Sequence, residues 1–219
     1  MIMKRFLSLF RAILISASFA LSTVLAAPPA SSQDSLSADG PYILYTSAGV
    51  EVINVDVQGR ISIQQWTKMP EDFTFQVTDH RGKYPFEVTL RPFSRADWHQ
   101  PDTPEKTFVM SDPHGKLDCV IDLLQGNAVI DESLHWDFGD NRLVVIGDIM
   151  DRGKDVIAIY WLFYKLQQEA AEAGGSVTML LGNHEPMEFA GDMRYAEDKY
   201  KILPRLLGKE YTELIGPGT

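Results

Sequence analysis

Three short stretches carry the residues able to do chemistry: Ser111-Asp112-Pro113-His114-Gly115, Gly147-Asp148-Ile149-Met150-Asp151-Arg152-Gly153 and Gly182-Asn183-His184-Glu185. Carboxylate oxygens, imidazole nitrogens and an amide oxygen suit Mn, Fe or Zn, and the lack of thiolates argues against a structural zinc site. One carboxylate can bridge two metals roughly 3.5–4 Å apart, an arrangement that stabilises both attacking and leaving oxygens in phosphoryl transfer. Any single stretch has a plainer reading. Asp148 and Asp151 would then cap a helix starting near Lys154, with Arg152 paired to one of them. Recurrence at three places favours a shared site.

The intervening sequence explains how the three stretches come together. Thr107–Met110 reads as a short strand, 116–124 as a helix, 143–146 as an aliphatic strand, 155–173 as a helix and 177–181 as a strand. The long helix repeats Val156, Ile159, Tyr160, Phe163 and Leu166 on one face and stops at Gly174-Gly175. Consecutive aliphatic residues such as Leu143 to Ile146 suit a strand covered on both faces. The order is βαβαβ, an α/β fold with right-handed crossovers and a parallel sheet, whose ligands collect at the carboxyl ends of the strands. Each of the three polar stretches follows such a strand. Asp112, His114, Asp148, Asp151, Arg152, Asn183 and His184 are therefore expected around one crevice.

Upstream the pattern is strand only. Runs at 42–46, 50–57, 60–66, 73–77 and 86–91 are rich in Val, Ile, Phe and Tyr and are separated by glycine-containing turns, which predicts a small antiparallel β-meander module over 41–100. Trp66, Phe73, Phe75 and Phe86 are its expected core, and His80 and His99 are expected to be solvated. The polar stretch 94–105, with Pro101 and Pro104, reads as a boundary before a second unit over 101–219. Residues 27–40, rich in Pro, Ser and Ala, read as a flexible lead-in. Residues 1–26 read as a signal peptide: Lys4, Arg5 and Arg11 precede an apolar stretch over 12–25 that closes on Val24-Leu25-Ala26. That stretch is short of the ~20 apolar residues of a membrane span and carries Ser16, Ser18 and Ser22. The expectation is a periplasmic or secreted protein with no stable membrane anchor after cleavage.

The 219 residues, 45% hydrophobic and 23% charged, can build a sizeable core. Removing Lys4, Arg5 and Arg11 from 20 Lys+Arg leaves 17 against 30 Asp+Glu, a formal charge of −13. So acidic a surface repels nucleic acid. One cysteine in an exported chain excludes an internal disulfide. Cys119 makes a poor nucleophile, because a cysteine-dependent phosphate loop wants an arginine a few residues on and 120–126 has none. A small buried packing residue is the expected role.

The three stretches resemble the motifs Gly-Asp-x-His-Gly, Gly-Asp-x-x-Asp-Arg-Gly and Gly-Asn-His-Glu of the calcineurin-like metallophosphoesterases, in their phosphoprotein phosphatase branch. The second and third match fully, and the first has Ser111 for its leading glycine. That serine, the exported N-terminus, the preceding β module and Gly191-Asp192-Met193-Arg194-Tyr195 are most similar to the bacterial Shewanella-like phosphatases, over about 42–211. The resemblance implies two divalent metal ions (Mn, Fe or Zn): Asp112, His114 and Asp148 on the first, with Asp148 bridging to a second that Asn183 also holds. It further implies a hydroxide between the metals attacking phosphorus, Arg152 gripping phosphate, and His184 protonating the leaving oxygen with Asp151 orienting its ring and keeping it protonated. Glu185 is left between a supporting and a structural role, and His135 as a loop histidine.

Such enzymes supply two further metal-binding histidines and a second phosphate-binding arginine from later strands, whereas no histidine follows His184 here. The resemblance therefore implies the first half of a metallophosphoesterase sandwich, from a truncated or frameshifted chain, with an incomplete second metal site and one apolar sheet face uncovered. Two functions follow. One is a metal-dependent phosphatase of phosphomonoesters, with phosphotyrosine in peptides, small phosphate esters or dinucleoside polyphosphates as substrates. The other is a non-catalytic remnant that binds metal or phosphate.

Overall fold

The computed structural model describes residues 36–91 and 103–215, together with the backbone of 20–24. The expectations for the other residues, including most of the leader and lead-in, His99 and most of the boundary at 94–105, lie outside the described residues. Among the described residues no helix is long and apolar enough to cross a membrane.

The catalytic-looking half is built as its periodicity predicts. Strands β7 (Thr107–Met110), β8 (Arg142–Val145) and β9 (Ser176–Met179) form a parallel sheet in that order. Met110, Val145 and Met179 lie in register, so the three strands end side by side. Helix α1 (Leu117–Gly126) and helix α2 (Val156–Glu172) make the two crossovers.

Helix α1 buries Leu117, Val120, Ile121 and Leu124, the i, i+3, i+4, i+7 stripe of an amphipathic helix. That same spacing turns Cys119 outward. The cysteine is exposed, not a buried packing residue, and its thiol is shifted upward by partial desolvation and by the neighbouring Asp118 carboxylate. A thiol held protonated in this way is no nucleophile.

Helix α2 is apolar around most of its circumference because both of its sides are covered. Ile159, Leu162, Phe163 and Leu166 are fully buried, while Trp161 donates its ring N–H to the Pro41 carbonyl at 2.9 Å and meets Phe75 edge-on at 4.8 Å. The covering layer comes from the N-terminal strands. These are β1 (Ala20–Val24), β2 (Asp39–Thr46), β3 (Gly49–Val55), β4 (Ile61–Trp66), β5 (Phe73–Val77) and β6 (Phe86–Leu90).

The five expected strands are all present, in two sheets instead of one meander. Strands β2, β3 and β4 form consecutive antiparallel pairs, and β1 adds to the outer edge of β4 with Ala20 opposite Trp66. Among the described residues β5 and β6 pair only with each other, Val77 opposite Phe86. Strand β1 lies inside the stretch read as a leader. The core of the layer is Leu44, Ile53, Val55, Ile61, Val77, Phe86 and Val88; of the four aromatics expected there only Phe86 is buried, with Trp66, Phe73 and Phe75 half-buried. The lead-in from Leu36 onward is packed as well. Leu36 and Ala38 are buried and Asp39 pairs with Lys199 at 3.1 Å, both side chains out of solvent.

Two other histidines turn out to be partnered. His80 donates its backbone N–H to Asp155 at 2.6 Å and sets its ring Nδ1 at 3.0 Å from the same carboxylate, so the β5–β6 hairpin is tied to the start of α2. His135 pairs with Glu169 at 2.8 Å. Behind the site the chain continues as α3 (His184–Phe189), α4 (Asp198–Leu207) and α5 (Thr212–Ile215). Among the described residues nothing covers the face of the parallel sheet opposite α1 and α2. Val109, Ile146, Leu180 and Leu181 are between 46% and 66% exposed along it and its tips.

Candidate metal and phosphate site

The tips beyond the parallel strands stay hydrogen-bonded after the regular ladder ends. Asp112 N–H donates to Gly147 carbonyl (3.2 Å), His114 N–H to Asp148 carbonyl (3.0 Å) and Gly115 N–H to Ile149 carbonyl (2.9 Å). Glycines let the tips close. A β-carbon on Gly147 would sit 1.9 Å from the Gly182 nitrogen, and one on Gly153 would sit 2.2 Å from the Gly115 carbonyl oxygen. Ser111, which replaces a motif glycine, stands where positive φ is not needed, and its hydroxyl bonds to the Asp112 carboxylate.

Glu185 locks two tips together. Its carboxylate accepts backbone N–H groups of Asp148 (3.0 Å), Ile149 (2.7 Å), Met150 (3.3 Å) and Gly182 (2.7 Å) while 99% buried, leaving relative exposure of 1%. Of the two roles left open for this residue, the geometry selects the structural one. With its four backbone donors, and the Tyr160 hydroxyl at 3.5 Å, Glu185 is a bolt between the ends of β8 and β9. The backbone it holds is strained: Asp112, His114, Asp148, Asp151 and Arg152 all have positive φ between 42° and 72°. For residues with a β-carbon such conformations cost of order 1–3 kcal/mol each and persist only where surrounding contacts over-determine them.

This frame brings His114, Asp148 and His184 together, with one donor atom from each within 4.8 Å of the others and all three residues buried. His114 donates Nδ1–H to the Met150 carbonyl at 2.8 Å, which leaves Nε2 as a lone-pair donor aimed into the site. Asp112 Oδ1 lies 3.6 Å from that Nε2. The gap is too long for a direct hydrogen bond and suits two ligands of one ion, each about 2.0–2.2 Å from it. Asp148 accepts the His184 backbone N–H at 2.9 Å through Oδ1. The donor set therefore fits a divalent ion. Asn183 is exposed at the β9 tip and makes no side-chain cap to α3, so its amide is not consumed by the helix.

The remaining site residues form a second group beside the first. Asp151 Oδ2 holds His184 Nδ1 at 2.5 Å, both buried. The other ring nitrogen, His184 Nε2, faces Arg152 Nη2 at 3.4 Å, and Arg152 itself is exposed. His184 packs edge-on against His114 at 4.7 Å and beside Tyr195 at 5.6 Å. The helix-cap alternative for this stretch does not hold: the cap residue of α2 is Asp155, whose carboxylate is turned to His80, and neither Asp148 nor Asp151 caps it.

Residues 105–215 match the family described as calcineurin-like phosphoesterase, which is half of the chain. The chain belongs to the calcineurin-like phosphoesterases. Within that family it is 36% identical over 98 residues to Shewanella-like protein phosphatase 2 of Arabidopsis thaliana, covering 45% of this chain and 25% of that protein. It is 35% identical over 95 residues to Shewanella-like protein phosphatase 1 of Plasmodium berghei, covering 43% and 26%. Among solved structures it resembles a cold-active protein tyrosine phosphatase with a TM-score of 0.64 at 31% identity, and the cold-active protein-tyrosine phosphatase of a psychrophilic Shewanella with 0.63 at 32%. These superpositions cover 83% and 82% of this chain but 52% and 53% of the others. The chain thus spans about a quarter of the length of the curated relatives and half that of the solved phosphatases.

Two residues packed beside the site, Glu188 and Tyr211, escaped the sequence reading, and Tyr195 entered it within the stretch Gly191 to Tyr195 without a role. Glu188, one helical turn after His184, is buried and accepts the Tyr211 hydroxyl. Burial and the adjacent Asp151 push its carboxyl up to about 8. Tyr211 is itself raised by burial and by Glu188. Tyr195, half-exposed beside His184, also accepts the Arg152 backbone N–H at 3.0 Å, fixing the strained loop. The i, i+4 spacing of His184 and Glu188 on a short helix was the available signal for the first of these.

Proposed function

We propose that this chain hydrolyses phosphomonoesters, with phosphotyrosine in peptides as the preferred class, at the carboxyl ends of β7, β8 and β9. The observation that carries the reading is the convergence of His184 Nε2 and Arg152 at 3.4 Å, with Asp151 on the far side of the imidazole and the His114–Asp148 donors alongside. Asp112, His114, Asp148 and Asn183 would hold the divalent ions, Mn²⁺ being our choice. When bound, such ions supply Lewis-acid charge and lower the pKa of water.

The chain's own residues account for the rest of the reaction. Arg152 offers a planar fork to the non-bridging phosphate oxygens, which fixes the ester between the guanidinium and the metal ligands. His184 then stands with Nε2 toward the ester oxygen. As a water oxygen bonds to phosphorus from the opposite side, the P–O bond to the leaving oxygen breaks with its electron pair on that oxygen, His184 Nε2 delivers a proton to it, and inorganic phosphate and the free alcohol or phenol leave. Asp151 holds Nδ1 so that Nε2 is the nitrogen that points inward. The phosphotyrosine preference is supported by the tyrosine phosphatases among the solved relatives and by Tyr195, whose half-exposed ring flanks His184 where an aromatic leaving group would stack.

The purified chain tested with p-nitrophenyl phosphate and added Mn²⁺ should show metal-dependent hydrolysis that Asp148→Asn abolishes. Absence of turnover with folded protein overturns the proposal. A second reading is favoured by the exposed apolar residues Val109, Ile146 and Leu181 on and beside the parallel sheet. In it the chain binds metal or phosphate without turnover, and calorimetry with Mn²⁺ would give binding where the assay gives none. Export belongs to the same proposal and rests on Lys4, Arg5 and Arg11 before the apolar stretch 12–25. Recovery of a shortened chain from the periplasm or medium tests it.

A further inference from the structure

Asp151 has two carboxylate oxygens, and His184 uses one. Oδ2 takes the imidazole Nδ1, while Oδ1 is buried and, among the described residues, meets no N–H or hydroxyl donor. A buried carboxylate oxygen left in this way forfeits on the order of one hydrogen bond, which native structures rarely tolerate. The Glu188 carboxyl lies within hydrogen-bonding reach of Asp151. Two ionised carboxylates cannot bond to each other, so one of them must carry the proton.

The surroundings decide which. Glu188 is 1% exposed, and the groups facing it are Asp151 from the β8 tip, Glu185 from its own helix, Tyr160 from α2 and Tyr211 from the turn before α5. None of these four is a cation. Asp151, by contrast, has the His184 imidazole on it at 2.5 Å. Burial next to another carboxylate favours the neutral acid on Glu188, in line with its upward shift.

We propose that Glu188 is a positioning residue that, as a neutral carboxylic acid, donates its proton to Asp151 Oδ1 and so completes a buried chain Tyr211–Glu188–Asp151–His184. The Tyr211 hydroxyl donates to Glu188 Oε2, which leaves the Oε1 hydroxyl to donate onward. The chain fixes the rotation of the Asp151 carboxylate about its own axis. Oδ2 is thereby presented to Nδ1 and the His184 ring is held with Nε2 toward Arg152. Glu188 acts on His184 through Asp151.

The inference deepens the phosphatase reading in its kinetic arm and is independent of it in its spectroscopic arm. Infrared spectra of the folded protein at neutral pH should show a protonated-carboxyl C=O stretch that disappears in Glu188→Gln. No such band, or one that survives in Glu188→Gln, overturns the proposal whatever the protein's activity. In the kinetic arm, Glu188→Gln still donates an amide N–H to Asp151 and accepts Tyr211, so it should keep most of its turnover. Glu188→Leu removes the donor and should lower kcat about tenfold at unchanged KM, less than the roughly hundredfold or greater loss expected for removing a general acid itself. A fall in Glu188→Gln as deep as in Glu188→Leu overturns the positioning role. If the wild-type chain has no turnover, the phosphatase reading fails while the infrared result still decides the protonation of Glu188.

Discussion

Asp151 and His184 lie 33 positions apart in the chain and 2.5 Å apart in space, the carboxylate bound to Nδ1 and the opposite ring nitrogen facing Arg152. Two consequences follow from the pairing. The ring cannot rotate to present Nδ1 to a ligand, and a positive charge on it is compensated from the buried side. Asp151→Asn keeps the size and loses the charge. Turnover should fall on the order of a hundredfold or more, within the range that a lost acid–base contribution covers. Steady-state kinetics with p-nitrophenyl phosphate measures it, and a change below tenfold with an intact fold would show that His184 does not depend on Asp151.

Arg152 presents a different trade between geometry and charge. Its backbone is strained at φ 67° and held by the Tyr195 carbonyl, and neither feature depends on the side chain. Arg152→Lys therefore preserves the loop while replacing a fork by a point charge. The expected outcome is a loss in kcat/KM of about 10- to 100-fold, with inorganic phosphate inhibiting correspondingly less well. Equal inhibition of both proteins by phosphate would remove the guanidinium from the phosphate site.

Glu185 sits one position from His184 but should fail in a different way. Glu185→Ala leaves four backbone N–H groups, those of Asp148, Ile149, Met150 and Gly182, without their acceptor. Leaving buried donors unpaired costs about 1–3 kcal/mol each, and water entering the vacated space recovers part of that. A net loss of roughly 3 kcal/mol in urea unfolding is expected on this basis, accompanied by weaker Mn²⁺ binding as the Asp148 tip loosens. Wild-type stability with lost turnover would instead assign Glu185 to the chemistry.

The strand tips were legible in the sequence because each apolar run stops abruptly in residues that have no place in a core: Asp112 and His114, Asp148 to Arg152, Asn183 and His184. The strands carrying them were legible for the same reason, and register then follows from parallel pairing. What pattern reading could not supply was partnership. The five N-terminal runs look alike in composition, and nothing in them says that β1 would take the edge of β4 and leave β5 and β6 to each other. Cys119 was misread from residue type, since cysteines are usually buried, although the spacing of Leu117, Val120, Ile121 and Leu124 already turned it outward. Glu188 was invisible for a related reason. A glutamate on a helix reads as a solvated face, and only tertiary packing sets Tyr211 from 23 residues away against it.

The burial of Glu188 also makes a prediction about stability. Its carboxyl keeps the proton to about 8 in the folded protein, against an ordinary value of 4.5 in the unfolded chain. Between those values the native state binds a proton that the unfolded state has released, so the stability contribution is complete below about pH 4.5 and is lost as pH rises toward 8. The limiting slope is about 1.4 kcal/mol per pH unit for one proton. Glu188→Gln has no proton to lose at this position. The difference in unfolding free energy, Glu188→Gln minus wild type, should therefore increase from pH 5 to pH 8 and level off above it, in favour of the variant. Parallel urea titrations of the two proteins across that range measure the difference directly. A flat difference would mean that Glu188 is ionised in the folded protein, and that the unpaired oxygen of Asp151 takes its hydrogen bond from some other donor.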